Sequence, residues 1–199
     1  IEAGEELSVY YSININGGEA VRAFGIPLQV GSIKPINNHL LLNVNFNEQY
    51  SIVYDMNEED KKELLAKKKE MEDYHVLTQV PFYFNGQGYI DGNRSALFLY
   101  DEKSEALERI TDQYIDVSSS EYDADNNLIY YTATLFKTVQ PLKEKLFVYD
   151  VASKQTKQLL DDELSIHDFK LRQDDILIAG AKTEDYGINE NPQFYTLKN

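Results

Sequence analysis

At 199 residues the chain is long enough for one large domain or two small ones, and long enough to bury a core. Its formal net charge of −15, from 34 acidic and 19 basic side chains, repels phosphate backbones and anionic lipid, which disfavours nucleic acid and membrane surfaces as partners. Cysteine is absent, so there is no disulfide framework, no thiolate zinc site and no cysteine nucleophile, a composition that fits a cytoplasmic protein. An apolar fraction of 42% with 15 Tyr and 9 Phe is that of a folded chain biased towards pleated, half-buried strands. No apolar run approaches the roughly 18 residues of a membrane-spanning helix. The start, Ile1-Glu2-Ala3-Gly4-Glu5-Glu6, has neither an initiator Met nor a signal-peptide pattern, and the chain reads as a piece of a longer protein.

Leu7–Ile13 has strand composition and ends at Asn16-Gly17-Gly18, residues that tolerate a tight hairpin turn. Its partner is Glu19–Phe24. Gly31–Ile36 reads as a short strand, Asn37-Asn38 as a turn, and His39–Phe46 as the following strand. Ser51–Tyr54 is expected to extend a strand. Asn57 then caps a helix opening at Glu58-Glu59-Asp60, with Lys67, Lys68 and Lys69 placed to suit the helix dipole. Only Leu64, Leu65 and Met71 give that helix an apolar face, so it is expected on a surface. An aromatic, Gly- and Pro-punctuated stretch, Val76–Arg94, follows.

From residue 96 the chain becomes periodic. Hairpins are expected at Ala96–Tyr100 with Leu107–Thr111, Ile115–Tyr122 with Leu128–Thr134, Lys145–Tyr149 with Thr156–Leu160, and Ser165–Leu171 with Ile176–Ala181; Gln193–Leu197 adds one more strand. Leu97-Phe98-Leu99-Tyr100-Asp101 returns as Leu146-Phe147-Val148-Tyr149-Asp150, 49 residues later, and the blocks ending at Asp112 and Asp161 keep the same offset. Four-stranded meanders at a spacing of about 40–50 residues are β-propeller blades. The absence of Trp weighs against the WD type. The fold class expected is therefore all-β: a partial propeller of four-stranded antiparallel blades with one helix-containing insertion. As a single incomplete domain over residues 1–199, it divides into a half blade (1–28), a full blade (29–113) carrying an insertion (47–95), a full blade (114–162) and most of another (163–199).

Val80-Pro81-Phe82-Tyr83-Phe84-Asn85-Gly86-Gln87-Gly88-Tyr89, Arg94–Asp101 and Arg109-Ile110-Thr111-Asp112 together resemble the propeller of acylaminoacyl-peptidase-like serine peptidases of the prolyl oligopeptidase superfamily. The pattern is a charged helical insertion, a P-Y-x-x-[ND]-G-x-G-[YF] segment, an Arg, an L-[FY]-[VL]-x-D strand and an L-T-D-like strand. The usual D-G-[KR] turn is replaced by Asp125-Asn126-Asn127 and by Gln173-Asp174-Asp175, where Asn supplies the left-handed conformation otherwise given by Gly. The resemblance implies an N-terminal propeller that caps a C-terminal α/β-hydrolase domain and limits it to short peptide substrates.

Within this chain a catalytic apparatus is not expected. Gly92-Asn93-Arg94-Ser95-Ala96 lacks the second Gly and the strand-to-helix setting of a nucleophile elbow. His39, His75 and His167 are far apart in sequence and read as structural. Asp123–Asn127 has Leu128 and Thr134 where a calcium loop needs Gly and Glu, and reads as a hairpin turn. Asn93-Arg94-Ser95 fits a glycosylation sequon that matters only in a secreted protein, and Gly86-Gln87-Gly88 lacks the third Gly of a dinucleotide loop. No cofactor and no metal are expected. The one candidate site is the aromatic cluster Phe82, Tyr83, Phe84 and Tyr89, which either packs the insertion onto its blade or faces the hydrolase domain or substrate entrance. A stand-alone propeller scaffold for protein binding, of TolB type, is the alternative function.

Unclosed blades leave strand edges with unpaired backbone groups. The chain is accordingly expected to self-associate edge to edge, read as concentration-dependent mass in light scattering; a monodisperse monomer at high concentration speaks against it.

Overall fold

A computed structural model describes residues 8–86, 88–90, 92–160, 164–173, 175–184 and 187–198. Leu7 of the first expected strand, Gln87 and Asp91 of the aromatic stretch, Asp161 of the repeat and Asp174 of an expected turn lie outside them. The fold is all-β, built of antiparallel propeller-type sheets, with one helix-containing insertion. It divides into two compact units, Ile1–Arg109 and Ile110–Asn199.

In the first unit β1 (Ser8–Ser12) pairs with β2 (Val21–Ile26). A four-stranded sheet follows, in the order β3 (Gln29–Ile36), β4 (His39–Asn47), β7 (Asn93–Asp101), β8 (Ala106–Arg109). Its two middle strands bury apolar side chains on both faces. Leu40, Leu42, Val44 and Phe46 of β4 join Ala96, Phe98 and Tyr100 of β7 in one core cluster, while Leu41, Leu97 and Leu99 are buried on the other face. Ile26, Leu28, Tyr10 and Phe24 close that cluster, with Phe24 stacked on Tyr10 at 5.0 Å and tilted against Tyr100 at 5.4 Å. The Ser8 hydroxyl ties the hairpin to the sheet by donating to the Leu28 carbonyl (2.8 Å) and accepting from the Val30 N–H (3.0 Å).

Between β4 and β7 the insertion holds a 3₁₀ turn (Ser51–Asp55), helix α1 (Glu58–Glu70) and a small hairpin of β5 (Tyr83–Phe84) with β6 (Gly88–Tyr89). The 3₁₀ turn corrects the strand expected at Ser51–Tyr54. From that turn Ile52 and Tyr54 reach the core of the sheet, an arrangement that an extended strand, with its alternating side chains, would not produce. Helix α1 starts where Asn57 accepts from the Glu59 and Asp60 N–H groups, and it buries no residue.

The second unit contains a four-stranded sheet, in chain order β9 (Ile115–Asp123), β10 (Leu128–Leu135), β11 (Lys145–Asp150) and β12 (Gln155–Gln158). Beside it stands a three-stranded sheet of β13 (Leu164–Leu171), β14 (Asp175–Lys182) and β15 (Gln193–Lys198). Tyr130 and Leu146 from the first sheet meet Ile166, Phe169, Ile176 and Ile178 from the second. Glu121 of β9 latches the pair, one oxygen taking the Lys170 ammonium and the other the Leu171 N–H at 2.8 Å. Gly180 is required where β14 meets β13: a Cβ there would stand 2.6 Å from the Ser165 carbonyl oxygen.

The repeated block has one structural meaning. Leu97 and Leu146 are fully buried in third strands, and each block ends in an Asp that builds the next turn. Asp101 accepts from the Lys103 and Ser104 N–H groups, and Asp150 from those of Ala152 and Ser153; Asp123 does the same for Asp125 and Asn126 in the β9–β10 turn. Four residues after each Asp, the backbone turns left-handed at Glu105 (φ 56°), Asn127 (φ 56°) and Lys154 (φ 57°). Those N–H donors hold the Asp101 carboxyl below its ordinary value, and the Ser153 hydroxyl with the Ala152 and Ser153 N–H groups does so for Asp150. A depressed folded-state pKa gives stability that is present above the unfolded value and is lost as pH falls through the folded one. Replacing both Asp101 and Asp150 by Ala should therefore lower Tm at neutral pH and flatten the fall in Tm between about pH 4 and 2. Lys154→Gly should instead raise stability by ~0.5 kcal/mol, because Gly adopts the left-handed conformation without a Cβ clash; urea denaturation measures it.

Candidate functional site

The insertion has a polar, anchored root and an apolar, exposed tip. At the root, the last residue of β4 and the first of β7 are paired, Asn47 with Asn93, and the Asn47 side-chain amide donates to Asn93 Oδ1 at 3.2 Å. Asn47 also receives the Gln49 N–H on its own Oδ1 (2.9 Å), while its backbone N–H donates to Ser51 Oγ (2.9 Å). Next to it, Arg109 of β8 grips both oxygens of Glu48, at 2.7 and 3.1 Å, with its guanidinium 4.6 Å from the centre of the Phe46 ring. Tyr54 sets its ring edge-on to Phe98 in the same region. Its phenol is pushed up, first by burial and then by the Asp55 carboxylate, against a smaller downward pull from Arg109.

Arg94 and Gln79 hold the descending arm. Both are buried, and Arg94 Nη2 donates to Gln79 Oε1 at 3.3 Å. Two residues on, Pro81 leads into the hairpin, where the Ile90 N–H donates to the Phe82 carbonyl and the Asn93 N–H to the Ile90 carbonyl, both at 3.0 Å. Buried polar groups paired in this way fix the route by which the chain leaves and re-enters the blade.

The tip carries the four aromatic residues singled out in the sequence. Phe82, Tyr83, Phe84 and Tyr89 are 42–49% exposed, and none belongs to the core cluster of the blade. Tyr83 and Tyr89 are opposite each other across β5 and β6, with rings edge to face at 5.4 Å. His75 stacks on Tyr89 with ring centres 4.0 Å apart, an unforeseen member of the group. Tyr74, Val76, Leu77 and Val80 add further exposed apolar surface along the same stretch. Exposed aromatics on an anchored support are suited to contact with another apolar or aromatic surface.

The other candidate residues stay apart from this site. Ser95 donates its hydroxyl to Asn43 Oδ1 at 2.7 Å, and His39 faces Asp101 at 4.0 Å from the start of β4. His167 is exposed on β13. Asp123–Asn127 is a hairpin turn, and no group of metal-ligating side chains occurs among the described residues. Among the same residues no helix is long and apolar enough to cross a membrane.

Root and tip should respond differently to substitution. Arg94→Met leaves Gln79 buried without its donor and should cost about 1–3 kcal/mol in urea denaturation. Phe84→Ser at the tip should change stability by less than ~0.5 kcal/mol.

A search of curated proteins finds no match for this chain. Solved structures do resemble it. An acylaminoacyl peptidase of Pyrococcus horikoshii aligns over 94% of this chain and 27% of its own, with a TM-score of 0.59 and 13% identity. An acylaminoacyl peptidase solved in complex with Z-Gly-Gly-Phe-chloromethyl ketone aligns over 96% of this chain and 27% of its own, with a TM-score of 0.58 and 12% identity. The chain thus spans about a quarter of the length of these proteins. Residues 40–179 match the family model described as the dipeptidyl peptidase IV (DPP IV) N-terminal region. That match, together with the antiparallel propeller-type sheets, places the chain in the dipeptidyl peptidase IV N-terminal-region family.

Proposed function

We propose that this chain is the non-catalytic propeller of a cytoplasmic serine peptidase similar to acylaminoacyl peptidases. In that reading it caps a C-terminal α/β-hydrolase domain and restricts access to short peptides. The observation that carries the proposal is the insertion: an aromatic tip left exposed on a root held by the Asn47–Asn93, Glu48–Arg109 and Gln79–Arg94 pairs. A tip that filters or contacts substrate must be held still, because a mobile gate excludes little. Tyr83 and Tyr89 present broad, stiff surfaces with few rotatable bonds, which suits contact with peptide side chains or with a neighbouring domain at low entropic cost. The lack of cysteine favours a reducing compartment.

The test is made on the protein that carries this chain together with its hydrolase domain. Tyr83→Ala with Tyr89→Ala should raise kcat/KM for long peptides relative to short ones by roughly tenfold, about 1.4 kcal/mol of discrimination. An unchanged length preference with a lowered Tm assigns the aromatics to packing and overturns the filter. The chain by itself should hydrolyse no peptide substrate; activity from it alone contradicts the non-catalytic role, as does a gene without a downstream nucleophile elbow, which returns the scaffold reading.

A further inference from the structure

Asn-Gly steps are where a peptide chain can modify itself. With no side chain on the following residue, the Gly backbone nitrogen can reach the Asn carboxamide carbon. A nitrogen–carbon bond forms, the carbon–NH2 bond breaks, and ammonia leaves with the proton given up by the backbone nitrogen. The resulting five-membered succinimide takes up one water at either carbonyl, yielding aspartate or isoaspartate. No oxidant, metal or partner is needed. What decides the rate in a folded chain is whether the Gly N–H and the carboxamide are free to meet.

The chain has two such steps, both in exposed turns, and the structure treats them differently. At Asn16-Gly17, the Gly17 N–H donates to the Asn14 carbonyl at 3.0 Å and the Asn16 N–H to Asn14 Oδ1 at 2.9 Å. The attacking Gly17 nitrogen is tied through its N–H, and attack requires that turn to open. At Asn85-Gly86, neither the Asn85 carboxamide nor the Gly86 N–H has a hydrogen-bond partner among the described residues. The step follows one strand of only two residues, Tyr83–Phe84, and precedes another, Gly88–Tyr89. Gly86 has φ 81°, and nothing lies within 4 Å of where its Cβ would be, which leaves room for the ring to close.

We infer that Asn85 is a self-modification site, converted to aspartate and isoaspartate ahead of Asn16. Either product puts a carboxylate at the tip of the aromatic hairpin, beside Phe84. Isoaspartate also adds a methylene to the main chain right after Phe84, which loosens the Phe84–Gly88 pairing. The reaction therefore turns a neutral aromatic tip into an anionic, frayed one, on a clock set by the turn itself.

The experiment uses the full chain, incubated at mildly alkaline pH, digested at intervals and read by mass spectrometry with isoaspartyl methyltransferase labelling. Asn85 should accumulate acid products faster than Asn16 by a factor of about five or more, the cost of opening one hydrogen bond. Equal rates, or a faster Asn16, overturn the inference. In strong urea the difference should collapse; if it persists, its origin is not the folded turn and the inference fails. Gly86→Ala should suppress the product at Asn85 while leaving Asn16 unchanged, and an unchanged Asn85 rate in that variant also counts against it. The comparison of the two steps within one molecule needs no variant to fold.

Discussion

The middle strands of each four-stranded sheet bury apolar side chains on both faces, and most of the structure follows from that. Leu41 and Leu42, or Leu97 and Phe98, are adjacent residues pointing to opposite sides of one sheet, and all four are buried. A sheet of this kind cannot stand in water alone; it needs an apolar partner on each side. Hence Tyr10, Phe24, Ile26 and Leu28 cover one face in the first unit, and the β13–β15 sheet covers one in the second. Hydrogen bonds at the margins, such as those of Ser8 and Glu121, fix alignment. Area removed from water, at ~25 cal/mol per Å², supplies the attraction.

The same constraint decides where variation can be carried. Polar residues within these strands pair with one another, as Ser95 does with Asn43 and Thr132 with Ser119, and the longest departure from the strand pattern is the excursion between β4 and β7. That excursion reverses the logic of the blade. Its ends are polar and held by Asn, Arg, Glu and Gln side chains, of which Asn47, Gln79 and Arg94 are buried, and its far part is aromatic and exposed. A purely apolar anchor would slide; directional hydrogen bonds and a two-pronged guanidinium–carboxylate grip do not. The helix in the excursion buries nothing and is held by its Asn57 cap and the charges at its two ends.

Much of this was legible in the sequence because doubly buried strands repeat their side-chain sizes. Leu97-Phe98 and Leu146-Phe147 occupy the same kind of place, and the 49-residue spacing survives because each blade needs the same strand and turn lengths. Asn57 was readable as a cap, and Asn127 as a left-handed turn residue, since both signals are local. Glu105 and Lys154 were not, because charged residues have no special liking for φ near 56°; the clue lay in the Asp four positions earlier. Ser51–Tyr54 was misread since Ile, Val and Tyr favour strands, and only the distant core that receives Ile52 and Tyr54 selects the 3₁₀ turn. At the site, the aromatic tip was visible as composition. Its root was not: Glu48 and Arg109 are 61 positions apart, and neither looks unusual where it stands. His75, stacked on Tyr89, carried no signal beyond being one of three His.

The pairing of Asn47 with Asn93 has a consequence for how such a chain can change over time. Residues 48–92 leave and rejoin the sheet at two neighbouring points, so the distance between the ends of the excursion is that between adjacent strands, whatever lies between. Closing a longer or shorter excursion over the same gap changes the loop entropy only logarithmically, by about 0.6 kcal/mol per doubling. The blade is thus a socket and the insertion a cartridge: provided its first and last few residues keep the grip, its contents can be exchanged without the strands being rebuilt.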